Sequence, residues 1–123
     1  MRSPMQRMLI VEDEQDLRDC LKDFFSARGF AVAAVFSGEE AVEQLTKSAA
    51  DVVLLDIVLP GVSGLEVLKL VKQLHPKMKV VMVTGVDQED VRQTAKSYGA
   101  AAYIVKPFDF SDATWFPVFA HPT

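Results

Sequence analysis

The sequence predicts a doubly wound α/β domain built on a five-stranded parallel sheet. Three observations carry that reading. Short apolar runs alternate with amphipathic stretches of helical length, the order that produces right-handed βαβ units. Runs such as Val52-Val53-Leu54-Leu55 are continuously apolar, as strands covered by helices on both faces must be. Four of the runs stop at polar or charged residues, namely Glu12-Asp13, Asp56, Thr84 and Lys106. In a parallel sheet these stops share one edge, where open α/β sheets place their ligands.

The elements follow in order. Met8-Leu9-Ile10-Val11 is the first strand. Gln15 to Arg28 is a helix, with Leu17, Cys20 or Leu21, Phe24 and Phe25 at helical spacing and Gly29 as its stop. Ala31 to Val35 is the second strand, after which Ser37 caps a helix from about Gly38 to Ser48 with Ala41, Val42 and Leu45 on one face. Asp51 to Asp56 is the third strand and Leu59-Pro60-Gly61 a turn. Ser63-Gly64 opens a helix carrying Leu65, Val67, Leu68, Val71 and Leu74, which Pro76 ends. Val80 to Thr84 is the fourth strand, Asp87 to Ser97 a polar helix with a thin buried stripe, and Ala101 to Val105 the fifth strand. Pro117 comes too early for a full fifth helix, which is expected to be short or disrupted. Trp115, Phe116 and Phe119 are expected to pack in its place, since three exposed rings would invite aggregation.

Composition bounds the function. The chain has 123 residues, half of them apolar, which is enough for one self-sufficient core. A single cysteine, Cys20, excludes an internal disulfide and fits a reducing compartment. The apolar runs are far too short to cross a bilayer and the N-terminus lacks a signal-peptide core, so a cytoplasmic protein is expected. A net charge of −4 argues against direct nucleic-acid binding, which needs clustered Lys and Arg.

The strand ends supply chemistry. Glu12, Asp13 and Asp56 at neighbouring strand ends repel one another unless a cation or a proton intervenes. Magnesium suits such a site, because it binds through one or two carboxylates, a carbonyl and several waters. Glu14, next in sequence, is read instead as a helix-start acid favoured by the helix dipole. Thr84 and Lys106 add a hydroxyl and an ammonium, a donor and a counter-charge for a phosphoryl group on Asp56. Pro107 sets the local turn that aims Lys106 over the sheet edge.

The segments Leu9-Ile10-Val11-Glu12-Asp13-Glu14, Val53 to Gly64, Val81-Met82-Val83-Thr84-Gly85 and Tyr103-Ile104-Val105-Lys106-Pro107-Phe108 together resemble the receiver domain of bacterial two-component response regulators. The resemblance implies the flavodoxin-like strand order 2-1-3-4-5 and assigns residues 8–110 to the receiver. Residues 1–7 would then be a disordered or non-native N-terminus, and 111–123 an atypical apolar segment in place of a full fifth helix. It further implies that Asp56 accepts a phosphoryl group from a histidine kinase or histidine phosphotransfer protein. Glu12, Asp13, Asp56 and the Val58 carbonyl would hold Mg2+, Thr84 and Lys106 would contact the phosphoryl oxygens, and the Lys106-Pro107 peptide would be cis. Thr84 and Tyr103 would act as the switch toward an output domain or downstream protein, making the chain a self-phosphorylating and self-dephosphorylating switch and not a turnover enzyme. Dimerisation is left open, because the Pro117-containing segment alters the face that would carry it.

One departure has a kinetic consequence. Val58 and Val86 offer no acid or amide to position an attacking water, so a long-lived phosphoryl-aspartate is expected. Other classes fare worse. A flavin module needs a Ser/Thr/Gly-rich cradle after the first strand, where Glu12-Asp13-Glu14 stands, and an aspartyl phosphatase needs an acid at position 58. A receiver-like interaction module that works without phosphorylation is the remaining alternative. His75 and His121 carry no expected role.

Overall fold

Five strands and five helices alternate in the computed structural model, which describes residues 5–119. They are β1 (Arg7–Val11), α1 (Gln15–Ser26), β2 (Ala31–Val35), α2 (Gly38–Lys47), β3 (Val52–Leu55), α3 (Gly64–Leu74), β4 (Lys79–Thr84), α4 (Glu89–Ser97), β5 (Ala102–Val105) and α5 (Asp112–Phe119). All neighbouring strands pair in parallel, in the order β2-β1-β3-β4-β5. The fold is the doubly wound, flavodoxin-like one.

Strand periodicity divides the core into two layers. Leu9, Val11, Val53, Leu55, Val80 and Met82 face α2, α3 and α4. Met8, Ile10, Val52, Leu54, Val81 and Val83 face Leu21 and Phe25 of α1 and Trp115 and Val118 of α5. Successive residues of one strand therefore feed opposite layers, which is why the central strands read as unbroken apolar runs. Within α1 the ambiguity between Cys20 and Leu21 resolves sterically: Leu21 is buried and Cys20 exposed.

Local signals act where the sequence places them. Ser37 Oγ accepts the Glu40 N–H at 3.2 Å while Glu40 Oε1 accepts the Phe36 N–H at 3.2 Å, a reciprocal cap at the start of α2. Ser63 caps α3 through the Leu65 N–H. In α4 only Ala95 is buried, the thin stripe expected.

At the N-terminal end the strand starts one residue earlier than expected, and at the C-terminal end the fifth helix is short, as expected. β1 already begins at Arg7, whose N–H donates to Asp51 Oδ2 at 2.7 Å, so the ordered domain starts before residue 8; residues 1–4 lie outside those described. Helix α5 forms over eight residues with Pro117 inside it. The proline removes one N–H from the ladder but does not end the helix. Lys79 Nζ supports its last turn from β4, donating to the Pro117 carbonyl at 2.9 Å and the Val118 carbonyl at 3.4 Å. Trp115 is fully buried against Phe25, and Phe119 packs on Phe25 and Phe30, as expected. Phe116 does not join them and stays 66% exposed. A helix that turns Trp115 and Val118 to the sheet rotates the intervening residue about 100° away. His121 lies outside the described residues.

Candidate functional site

Register decides which strand ends meet. Val11 pairs with Leu55, so Glu12 and Asp56 leave β1 and β3 side by side. Thr84, the last residue of β4, pairs with Val105, and Lys106 follows directly. The Lys106–Pro107 peptide is cis. Glu12, Asp56 and Thr84 are buried, whereas Asp13 is exposed at the rim. Lys106 reaches across two strands to both acids, with Nζ 2.6 Å from Glu12 Oε1 and 2.7 Å from Asp56 Oδ2. The other carboxylate oxygens accept backbone donors: Glu12 Oε2 from Glu14 N–H at 3.0 Å, and Asp56 Oδ1 from Val58 N–H at 3.2 Å.

Burial and pairing compete in this cluster. Desolvation pushes the Glu12 carboxyl above the usual carboxylate range, against the pull of Lys106 and the Glu14 amide. Desolvation also opposes the charged form of Lys106, but its hydrogen bonds to Asp56 and Glu12 outweigh it and the net shift is upward. Oxygens of Glu12, Asp13 and Asp56 come within 4.8 Å of one another. Three hard oxygen donors at one spot fit a small divalent cation, which would relieve the repulsion that a single ammonium only partly offsets.

The remaining predicted residues form a chain of contacts leading away from the acids. Thr84 Oγ1 accepts the Val86 N–H at 3.3 Å, and the Val86 carbonyl accepts the Tyr103 hydroxyl at 2.5 Å. Burial raises the Tyr103 hydroxyl pKa. The Arg92 guanidinium sits 4.8 Å from the Tyr103 ring centroid and pairs with Asp87 at 2.8 Å. Val58 is 63% exposed, consistent with a side chain that takes no part in the cluster. Glu14 is exposed at the N-cap of α1, as expected.

Sequence reasoning missed several supports. Gly64 donates its N–H to Ile57 O at 2.8 Å, and a Cβ there would lie 1.9 Å from the Asp56 carbonyl, so only glycine lets α3 start this close. Gly61 has φ +75°, and a Cβ there would meet the Glu39 carboxylate, which accepts the Val62 N–H at 3.3 Å. Arg18 Nη1 donates to the carbonyls of Glu12 and Asp13. His75, expected to be bland, bonds through Nε2 to the Leu45 carbonyl at 2.8 Å and ties the end of α3 to α2.

Comparison with known proteins agrees with this geometry. Residues 8–114 match the model of the response regulator receiver domain. The chain is 33% identical over 107 residues to sporulation initiation phosphotransferase F of Bacillus subtilis, covering 87% of this chain and 86% of that protein. It is 37% identical to the DNA-binding transcriptional regulator NtrC of Klebsiella pneumoniae, covering 89% of this chain but only 24% of that longer protein. The crystal structure of a CheY-like response regulator receiver domain protein from Methanospirillum hungatei superposes with a TM-score of 0.84 at 31% identity, covering 86% of this chain and 85% of that one. No helix among the described residues is long and apolar enough to cross a membrane.

The raised Glu12 carboxyl fixes a pH dependence. Folded protein retains this proton where the unfolded chain, ionising near 4.5, has released it. The contribution of Glu12 to stability is therefore greatest at low pH and falls as pH rises from 4.5 through the higher folded value. In metal-free buffer, urea unfolding across that window should show Glu12→Gln losing less stability than the parent as pH rises. Parallel curves would refute this assignment.

Proposed function

The chain belongs to the response regulator receiver domain family, and from that premise we propose that Asp56 is its phosphoryl acceptor. The observation carrying this reading is the Lys106 ammonium bonded at once to Asp56 and Glu12 at the end of β5. It sets a positive counter-charge directly on the Asp56 carboxylate, the type of group that accepts phosphoryl as a nucleophile. The donor is the phosphohistidine of a histidine kinase or phosphotransfer protein. An Asp56 carboxylate oxygen forms the new P–O bond as the P–N bond to the donor imidazole breaks, and the imidazole nitrogen takes up a proton.

Mg2+ held by Glu12, Asp13, Asp56 and the Val58 carbonyl would supply charge neutralisation for the transferring group. Lys106, bonded to Asp56 Oδ2 and Glu12 Oε1, gives the counter-charge. The Thr84 hydroxyl, now an acceptor from Val86, turns to donate to a phosphoryl oxygen and so releases the contact that links it to Tyr103. Phosphorylation thereby shifts the population of the β4–α4 segment, the route by which a downstream protein or output domain would read the site. In this scheme the chain is a switch and not a turnover enzyme, and a cytoplasmic setting suits its kinase partner.

Incubation with Mg2+ and a small-molecule phosphodonor should add the mass of one phosphoryl group to the parent and none to Asp56→Asn. No gain in the parent would favour the phosphorylation-independent reading, and an equal gain in the variant would move the acceptor elsewhere. Followed over time after donor removal, the phosphoryl group should outlast a half-life of seconds, because Val58 and Val86 position no water. Introducing Asn at position 58 should shorten that lifetime.

A further inference from the structure

Building on the metal site proposed above, we propose that Arg18 is the positioning residue for the acidic pair Glu12-Asp13. Its guanidinium lies in the first turn of α1, yet it points back at the loop the helix grows from. Nη1 donates to the Glu12 carbonyl at 2.8 Å and to the Asp13 carbonyl at 3.3 Å. The Arg18 N–H closes the same turn on the Glu14 carbonyl at 2.9 Å. One side chain therefore grips two successive peptide units, and those units carry two of the three clustered carboxylates.

The two acids depend on this grip unequally. Glu12 is held independently, by its N–H on the Val35 carbonyl at 3.1 Å and by the Glu14 and Lys106 donors on its carboxylate. Asp13 is exposed, and among the described residues no donor reaches its carboxylate. The direction of its side chain is set by its own backbone, and Arg18 holds that backbone. Groups that hold the residues bearing metal ligands tune affinity without touching the ion.

Charge and positioning make opposite predictions. A guanidinium close to a cation site opposes the cation, so if Arg18 acted through charge alone its loss would tighten Mg2+ binding. If it acts by fixing Asp13, its loss loosens binding. Calorimetric titration of Mg2+ into the parent, Arg18→Ala and Arg18→Lys at matched ionic strength separates the two. The expected result is about tenfold weaker binding for Arg18→Ala. Arg18→Lys, with its charge and one donor group retained, should lie between the two. Urea unfolding without metal checks that both variants fold, and Arg18→Lys alone decides the matter if Arg18→Ala does not. Affinity unchanged or tightened in the folded variants would overturn the proposal while leaving the metal site intact. A parent that binds no Mg2+ would instead remove the site reading, and this proposal with it.

Discussion

Two carboxylates, Glu12 and Asp56, are withdrawn from water at 2% and 5% exposure with one ammonium between them, and the site depends on that arrangement. Burying like charges together is costly, and the cost is offset here by the Lys106 ammonium and backbone amides, while desolvation raises the Glu12 carboxyl. The ammonium must arrive from a strand two places away from β3, so β3, β4 and β5 have to be parallel and in register. Just beyond Lys106, the indole of buried Trp115 donates to the Asp109 carbonyl at 2.8 Å and anchors the chain that carries the lysine. Hydrogen bonds from Ser111 and Thr114 to the Asp109 carboxylate, which hold its carboxyl down to about 2, brace the same turn from the side chain. The last helix thus braces the segment that follows Lys106.

How much of this could be read in the chain follows from the range of each signal. The strands were legible because each is a short apolar run whose partners lie in the same sheet, and the acids because they end those runs. Ser37 and Ser63 were legible because capping is local. The fate of Pro117 was not, because what supports that turn is Lys79, thirty-eight residues earlier in sequence and adjacent only once the sheet forms. Phe116 was misplaced for a related reason: composition says that rings should be buried, but a two-turn helix has a narrow inner face. Arg18 sits at an ordinary surface position of an amphipathic helix, and nothing in its spacing announces that it turns back on Glu12 and Asp13.

The contacts running from Thr84 through Val86 to Tyr103 and Arg92 leave the acids by the least firmly held helix. Helix α4 buries one alanine, and its Arg92–Asp87 pair is partly exposed and correspondingly weak. An element of this kind is poised for a shift in population, because little packing has to be undone. The other helices, each with at least two buried side chains, would resist such a shift. The proposed direction of signalling therefore follows from where the packing is thinnest.

Lys106 balances the buried acids, and in the proposed metal site a divalent cation would share that task. Urea unfolding of Lys106→Met, with and without Mg2+, tests it most directly. The variant should lose about 3 kcal/mol relative to the parent in metal-free buffer, since a buried charge is left unpaired, and should recover most of that loss on adding Mg2+. A variant as stable as the parent without metal, or one that Mg2+ fails to rescue, would contradict that balance.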